Sequence, residues 1–335
     1  MLLLGIETSC DDTATAVVRD GSVALSNVST NQDAFHAKFG GIVPEIASRQ
    51  HLALLSAAVQ DALDRANVTF DDLDGIAVTA GPGLVGSLVI GVASAKALAY
   101  ATQKPLYAVN HLHGHIFAPF LERDARPEYP FLALLVSGGH SQLVHVASPT
   151  DLRVIAKTRD DAAGEAFDKT ARLLGLPFPG GPAMDKLARD GDPKAIAFPR
   201  YRAEGDALDM SFSGIKTNVK YFLESPVGKA AKPADVAASF QAAVVDVLMD
   251  RLNRAAQREA YKGVVLSGGV AANSALRAAF LAWGERTGIP AHIPHMRFCT
   301  DNAAMIAAAA DRQGEAVRAD AMTLSADPSL RFSFA

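Results

Sequence analysis

Apolar residues along this chain gather into short runs separated by polar or glycine turns, and the runs come in pairs. Leu2–Ile6 is apolar, Glu7-Thr8-Ser9-Cys10-Asp11-Asp12 is a polar turn, and a second apolar run spans 14–18. The design repeats as Phe131–Val136, Ser137-Gly138-Gly139-His140-Ser141-Gln142 and Leu143–Val146. Each predicts a β-hairpin with small or polar residues at its tip. A second pattern is also doubled. Gly75–Thr79 predicts a strand, Ala80-Gly81-Pro82-Gly83 a glycine turn and 85–99 a helix; Val264–Leu266, Ser267-Gly268-Gly269 and 271–280 predict the same order. Strand, glycine turn and helix can cradle a phosphate on the free N–H groups of the helix start, although one such loop is more often a plain tight connection. Two copies beside two hairpins predict a duplicated α/β lobe with a nucleotide between the copies.

Helical spacing accounts for much of the rest. Val236, Phe240, Val244, Val245, Leu248 and Leu252 recur on one face, predicting an amphipathic helix to about Ala255. Pro44 opens a helix that carries His51 and ends near Ala66. The longest apolar stretch, 84–101, approaches membrane length but holds Ser87, Ser94, Lys96 and two glycines, and reads as a buried helix.

At 335 residues the chain suits two lobes, and a hydrophobic share of 49% with 20% charged residues is that of a globular enzyme. The net charge of −4 excludes a protein that coats nucleic acid unaided. Two cysteines, Cys10 and Cys299, and no CxxC pair offer neither a disulfide framework nor a cysteine zinc site, which fits a reducing compartment. The first residues lack a basic segment and their apolar run is too short for a signal peptide, so the expected address is the cytoplasm, with no membrane partner.

The sharpest chemistry lies in Asn110-His111-Leu112-His113-Gly114-His115. With Asn110 as N-cap and a helix from His111, His111 and His115 share a face and could present two ring nitrogens to one ion. A plain histidine cluster satisfies the same spacing. The candidate third ligand is Asp301, whose alternative use is as the N-cap of the alanine-rich helix that follows. Two histidines and a carboxylate with open positions suit iron(II) or zinc. Elsewhere, Asp160, Asp161, Glu165 and Asp168 crowd nine residues. An acidic first turn explains the first two, whereas Asp168 could bind ribose hydroxyls. Pro179-Gly180-Gly181-Pro182 lets backbone approach a ligand, with Pro182 starting a helix and Asp185 in its first turn. Lys216, among small residues, could meet a phosphate or a carboxylate, or simply be solvated.

Taken together these segments resemble the tRNA N6-adenosine threonylcarbamoyltransferase family. The matching motifs are Gly5–Asp11, Gly40–Glu45, Ala80–Leu84, the His111/His115 segment, Val136–His140, Asp161–Lys169, Pro179–Pro182, Ser211–Thr217, Ser267–Asn273 and Cys299–Asn302, in family order over almost the whole chain. The resemblance implies the two-lobed α/β fold of actin, Hsp70 and sugar kinases, built from duplicated ribonuclease H-like subdomains with the active site in the cleft between them. Residues 1–130 would form the lobe with the metal histidines, and 131–335 the lobe with most adenylate-binding loops.

It further implies one divalent metal on His111, His115 and Asp301, with iron(II) favoured over zinc. Val136, Ser137, Gly138, Gly139, His140, Asp168, Gly181, Asp185 and Asn273 would contact threonylcarbamoyl-AMP, at a site that would also admit ATP or ADP. The implied reaction transfers the threonylcarbamoyl group to N6 of adenosine 37 in tRNAs reading codons that begin with adenine, and releases AMP. Asp11 is the one catalytic candidate beyond the metal. The implied partners are tRNA, a paralogous inactive subunit and a P-loop ATPase. The chain has Asp12 where many members have glutamate, which leaves the role of Asp12 open; His113 stands at a position the family does not fix and is excluded from the metal site, its role also open. Two other readings compete. A small-molecule kinase on the same fold would hold magnesium on oxygen ligands rather than histidines. A metalloprotease would place a glutamate beside the first histidine, where this chain has Leu112.

Overall fold

A computed structural model describes residues 1–123 and 125–332. By contacts the chain divides into two compact units, Met1–Arg126 with Ala147–Leu152 and Pro294–Ala335, and Pro127–Val146 with Arg153–Ile293. A single cut after residue 130 therefore misplaces the C-terminal stretch. Residues from 294 onward pack in the first unit, because the helix Ala303–Gln313 lies on the strand Leu2–Glu7.

In the first unit, the sheet is built from β1 (Leu2–Glu7), β2 (Thr13–Arg19), β3 (Val23–Thr30), β4 (Gly75–Gly81) and β5 (Leu106–Asn110), in the order β5-β4-β1-β2-β3. β1 pairs antiparallel with β2 and parallel with β4, and β4 is parallel to β5. β1 and β4 are central strands covered on both faces, hence continuous apolar runs; β3 at the edge mixes buried and open positions. The helices are α1 (Asp33–His36), α2 (Pro44–Ala66), α3 (Val85–Thr102) and α4 (His111–Phe117), with Ala303–Gln313 near the C-terminus. Leu4, Ile6, Val17, Leu55, Leu63, Ile76, Val78 and Val92 form one core between the sheet and α2 and α3.

The second unit repeats this plan. β6 (Phe131–Val136), β7 (Ser141–Ser148), β8 (Asp151–Lys157), β9 (Gly263–Ser267) and β10 (Ala291–His292) lie in the order β10-β9-β6-β7-β8, with β6 antiparallel to β7 and parallel to β9. Position for position this is the order of the first sheet, so the paired hairpins and paired glycine turns of the sequence are two copies of one α/β unit. The helices are α5 (Ala163–Leu173), α6 (Gly180–Ala188), α7 (Ser213–Glu224), α8 (Pro226–Ala230), α9 (Pro233–Ala256) and α10 (Ser274–Thr287). The remaining elements belong to the first unit: the C-terminal helix is α11 (Ala303–Gln313), and β11 (Arg318–Ala319) adds to β5.

Three local expectations need correction. The helix after the second glycine turn begins at Ser274 rather than near 271; Gly269–Ala272 is a 3-10 turn and Asn273 is the N-cap, its Oδ1 accepting from the Leu276 N–H. α6 starts at Gly180, two residues before Pro182. Finally, α3 buries only one face. Leu88, Val92, Ala95 and Ala99 are inside, while Val85, Val89 and Tyr100 are exposed. Alanine, valine and glycine occupy both faces, so the sequence carries no polar stripe to reveal the sidedness. By length and composition alone α3 could span a membrane; in this fold it packs on β4 and α2.

Candidate functional site

The histidine segment folds as its cap predicts. Asn110, the last residue of β5, accepts from the Leu112 N–H through Oδ1 and starts α4 at His111. One turn separates His111 from His115, and their rings meet edge to face with centroids 4.8 Å apart. Asp301 reaches the same point from the start of α11. It is not the cap of that helix, because Asn302 takes the task by accepting from the Met305 N–H. Asp301 is thereby left to face the histidines. Its Oδ1 lies 3.1 Å from His115 Nε2 and 3.6 Å from His111 Nε2. Gly5 makes this approach geometrically available: a Cβ there would stand 2.3 Å from the Ala303 carbonyl oxygen, so β1 could not take α11 this close with any other residue.

The three side chains offer ligand atoms within 4.8 Å of one another. Two imidazoles and one carboxylate form a donor set for a first-row divalent ion. The charge around them fits a cation as well. Burial first, then Asp301, Asp11, Asp33 and Glu7, pushes the Asp12 carboxyl up to about 8. Burial and Asp301 also raise Asp11, and burial with the Asp11 and Asp301 charges holds the Cys10 thiol well above its ordinary value. His51 of α2 fixes this hairpin tip: its Nε2–H donates to the Cys10 carbonyl at 3.0 Å and its Nδ1 meets Thr13 Oγ1 at 2.8 Å.

Burial opposes a charge on His111, but the Glu7 and Asp301 carboxylates beside it outweigh burial and raise its pKa to about 9. A metal-ligating ring must give up the Nε2 proton. Because the pKa is raised, proton and ion compete over the whole range below about 9. The affinity for Zn²⁺ should therefore climb by about tenfold per pH unit from neutrality to about 9 and then level off. Chelator competition across that range checks this, and a flat profile would remove His111 from the ligand set. His113, between the ligands, has a different task. It is buried and held neutral, its pKa lowered to about 4 by burial; Nδ1 accepts from Gln313 Nε2 and Nε2–H donates to the Phe332 carbonyl. It ties α4 to α11 and to the C-terminal segment, outside the triad.

In the second unit, the tip Ser137–His140 closes on itself: the Ser137 N–H donates to the His140 carbonyl and the His140 N–H to Ser137 Oγ. The start of α5 is seated against it, with the Gly164 N–H on the Ser137 carbonyl and the Ala163 N–H on Ser141 Oγ. Val136, the strand residue before the tip, is fully buried. A Cβ at Gly138, Gly139 or Gly181 would meet no atom within 4 Å, so these backbones border open space.

The acidic residues are more committed than the sequence suggests. Asp168 Oδ1 accepts the Gly180 and Gly181 N–H groups at 2.9 and 3.1 Å and so caps α6, whose own N-cap position is Pro179. Burial nevertheless leaves its carboxyl raised. Asp185 Oδ1 accepts from the Ser274 backbone and hydroxyl at the start of α10, and its Oδ2 pairs with Arg189. Asn273, besides capping α10, donates to Gln241 Oε1. Asp160 is not in the first turn of its following helix; it caps α7 by accepting from Phe212, Ser213 and the Ser211 hydroxyl. Asp161 bridges Lys169 and Lys216, so of the uses the sequence offers Lys216 the structure shows the carboxylate partner. Glu7 was legible only as a motif member, although a charged residue ending a fully apolar strand is a signal in itself.

The geometry can now be set beside known proteins. The sequence model of the tRNA N6-adenosine threonylcarbamoyltransferase family matches residues 23–308. The chain belongs to that family. It is 52% identical over 310 residues to the tRNA N6-adenosine threonylcarbamoyltransferase of Moorella thermoacetica, covering 92% of this chain and 90% of the relative. It is also 52% identical over 338 residues to that of Anaeromyxobacter sp. (strain Fw109-5), covering 99% and 100%. Among solved structures, full-length HypF in its phosphate- and nucleotide-bound form superposes with a TM-score of 0.61 at 14% identity, covering 96% of this chain and 47% of HypF. That likeness concerns the fold, and it agrees with the actin-like architecture the sequence implies.

Proposed function

We propose that this member of the tRNA N6-adenosine threonylcarbamoyltransferase family holds a divalent ion on His111, His115 and Asp301 and transfers a threonylcarbamoyl group from its AMP mixed anhydride to N6 of adenosine 37, releasing AMP. The observation that carries the reading is the convergence of three ligand atoms from two distant parts of the chain within 4.8 Å, in a family of this name. The donor set suits iron(II) or zinc, and the family resemblance favours iron(II). When bound, the ion supplies Lewis acidity at the acyl oxygen. The chain's residues do the rest by positioning. The tip Ser137–His140, seated on the start of α5, and the open backbones at Gly138, Gly139 and Gly181 are assigned to the adenylate; ATP or ADP would use the same groups. Asp168, Asp185 and Asn273 are assigned to the same adenylate, and their hydrogen bonds to the chain hold the loops around it in shape. Asp11, on the tip pinned by His51, is assigned to take the proton that the N6 amine loses.

Labelled threonine, bicarbonate, ATP, an adenylate-forming enzyme and unmodified tRNA should yield labelled tRNA only when this chain is present. Hydrolysis of ATP or phosphorylation of a small molecule without label in tRNA would instead favour the kinase reading. The family match does not favour that reading, nor the metalloprotease one, and the neighbour of His111 is Leu112 rather than a glutamate.

The substrate class constrains the partners. A chain at −4 lacks the phosphate-neutralising charge that supplies most affinity for tRNA. We assign the missing surface to accessory proteins, a paralogous inactive subunit and a P-loop ATPase, working with this chain in the cytoplasm. The isolated chain should give no gel shift with tRNA at physiological salt and micromolar protein, and a shift should appear once those partners are added. Tight binding by the chain alone would contradict the assignment.

A further inference from the structure

Glu7 stands at the last position of β1 with no exposed surface. Its carboxylate accepts from three elements at once: Oε1 from the Ser9 N–H, Oε2 from the Thr79 hydroxyl of β4 and from His111 Nδ1 at 3.0 Å. Ser9 Oγ lies 3.1 Å from the same ring nitrogen. One nitrogen of His111 is thus anchored on the sheet, and the other, Nε2, looks toward Asp301. His115 is built differently. Its Nε2 also meets Asp301, but its Nδ1 is buried with no hydrogen-bond partner. The two histidines of the triad are therefore unequal, one braced through its far nitrogen and one not.

We propose that Glu7 is the positioning residue of the metal centre, making His111 the preset ligand and leaving His115 to be oriented by the ion itself. The inference rests on reading His111, His115 and Asp301 as a metal site. Its physical basis is general. A ligating imidazole that donates its second N–H to a carboxylate has its ring orientation fixed, its metal-facing nitrogen committed to a lone pair, and its basicity raised. Removing such a partner typically costs about 10–100-fold in metal affinity. Here the brace is itself braced, since the Ser9 amide and the Thr79 hydroxyl fix both carboxylate oxygens, and a rigid strand supports a site more closely than a loop does. No comparable support exists at His115 Nδ1 among the described residues.

The test measures Zn²⁺ binding to the full chain by chelator competition at one fixed pH, with no tRNA present. Glu7→Gln, which keeps the size and removes the charge, should weaken binding by about 10–100-fold. Thr79→Val removes only the outer brace and should cost less than about fivefold. A second readout uses the Zn²⁺-loaded wild-type protein, so it does not depend on a variant folding. Long-range ¹H–¹⁵N spectra should show one downfield, exchange-protected imidazole Nδ1–H, from His111, with the His115 Nδ1–H exchanging faster. Glu7→Gln affinity within about twofold of wild type, or a His111 ring proton that exchanges as fast as that of His115, would overturn the proposal. Wild-type protein that binds no Zn²⁺, or binds it unchanged in His111→Ala, would overturn the metal reading itself and the role of Glu7 with it.

Discussion

His111→Ala is expected to abolish transfer of threonylcarbamoyl to tRNA while leaving the protein folded. The substitution takes away one of the three proposed ligands, the histidine anchored on the sheet through its second nitrogen. Lewis-acid stabilisation of developing charge is worth several kcal/mol, so the rate should drop by about 10³-fold or more. Metal content after dialysis should fall to a small fraction of the wild-type value. The fold should survive because the Glu7 carboxylate keeps two of its partners, Ser9 and Thr79, and α4 keeps its cap at Asn110. Labelled-threonine incorporation, elemental analysis and circular dichroism on one preparation check all three statements. Full activity in the variant would take the metal out of the reaction.

The second large effect concerns the backbone. Gly268 has φ of +88° and ψ of 168°, a region that residues with a Cβ essentially do not enter, and a Cβ placed there would lie 2.4 Å from the Val136 carbonyl oxygen. β9 ends one residue before this point, and Gly268 lies against the Val136 backbone at the end of β6. Gly268→Ala should cost about 1–3 kcal/mol for the forced backbone and about 1–3 kcal/mol for the overlap with a neighbouring main chain. Its unit should then melt about 4–24 °C lower. The adjacent Gly269 gives the contrast: a Cβ there meets nothing within 4 Å, so Gly269→Ala should change the melting temperature little. Equal thermal unfolding of the two variants would show that the turn yields without cost. Since Val136 leads into the tip Ser137–His140, the first variant should also bind an AMP-containing ligand more weakly than the second.

The hairpins, both glycine turns, the histidine helix with its Asn110 cap, and the long helices of 44–66 and 233–256 all follow from the order of residues, because period, punctuation and caps are local properties. The duplication was legible for the same reason, and the matched strand orders of the two sheets are its structural form. Function was legible through motifs in family order. What the sequence could not supply was the destination of each polar side chain. Asp160 reads along the chain as part of an acidic first turn, yet it caps α7 52 residues on; Asp168 and Asp185 also hold helix starts 12 and 89 residues away, and Asn273 caps its own helix, tasks that nothing near them in sequence shows. A carboxylate near a glycine turn can serve a ligand or a helix start equally well, and only the packing of one helix start against another decides. Glu7 is the converse case. Of its partners only the Ser9 amide is local; the two that meet its other oxygen come from β4 and from α4, 72 and 104 residues on. The chain by itself thus determined the elements, the repeat and the family chemistry. The tertiary structure decided which polar groups are spent on the fold and which three converge at the candidate metal site, because buried hydrogen-bonding groups must find partners and those partners are set by packing across the sheet, not by distance along the chain.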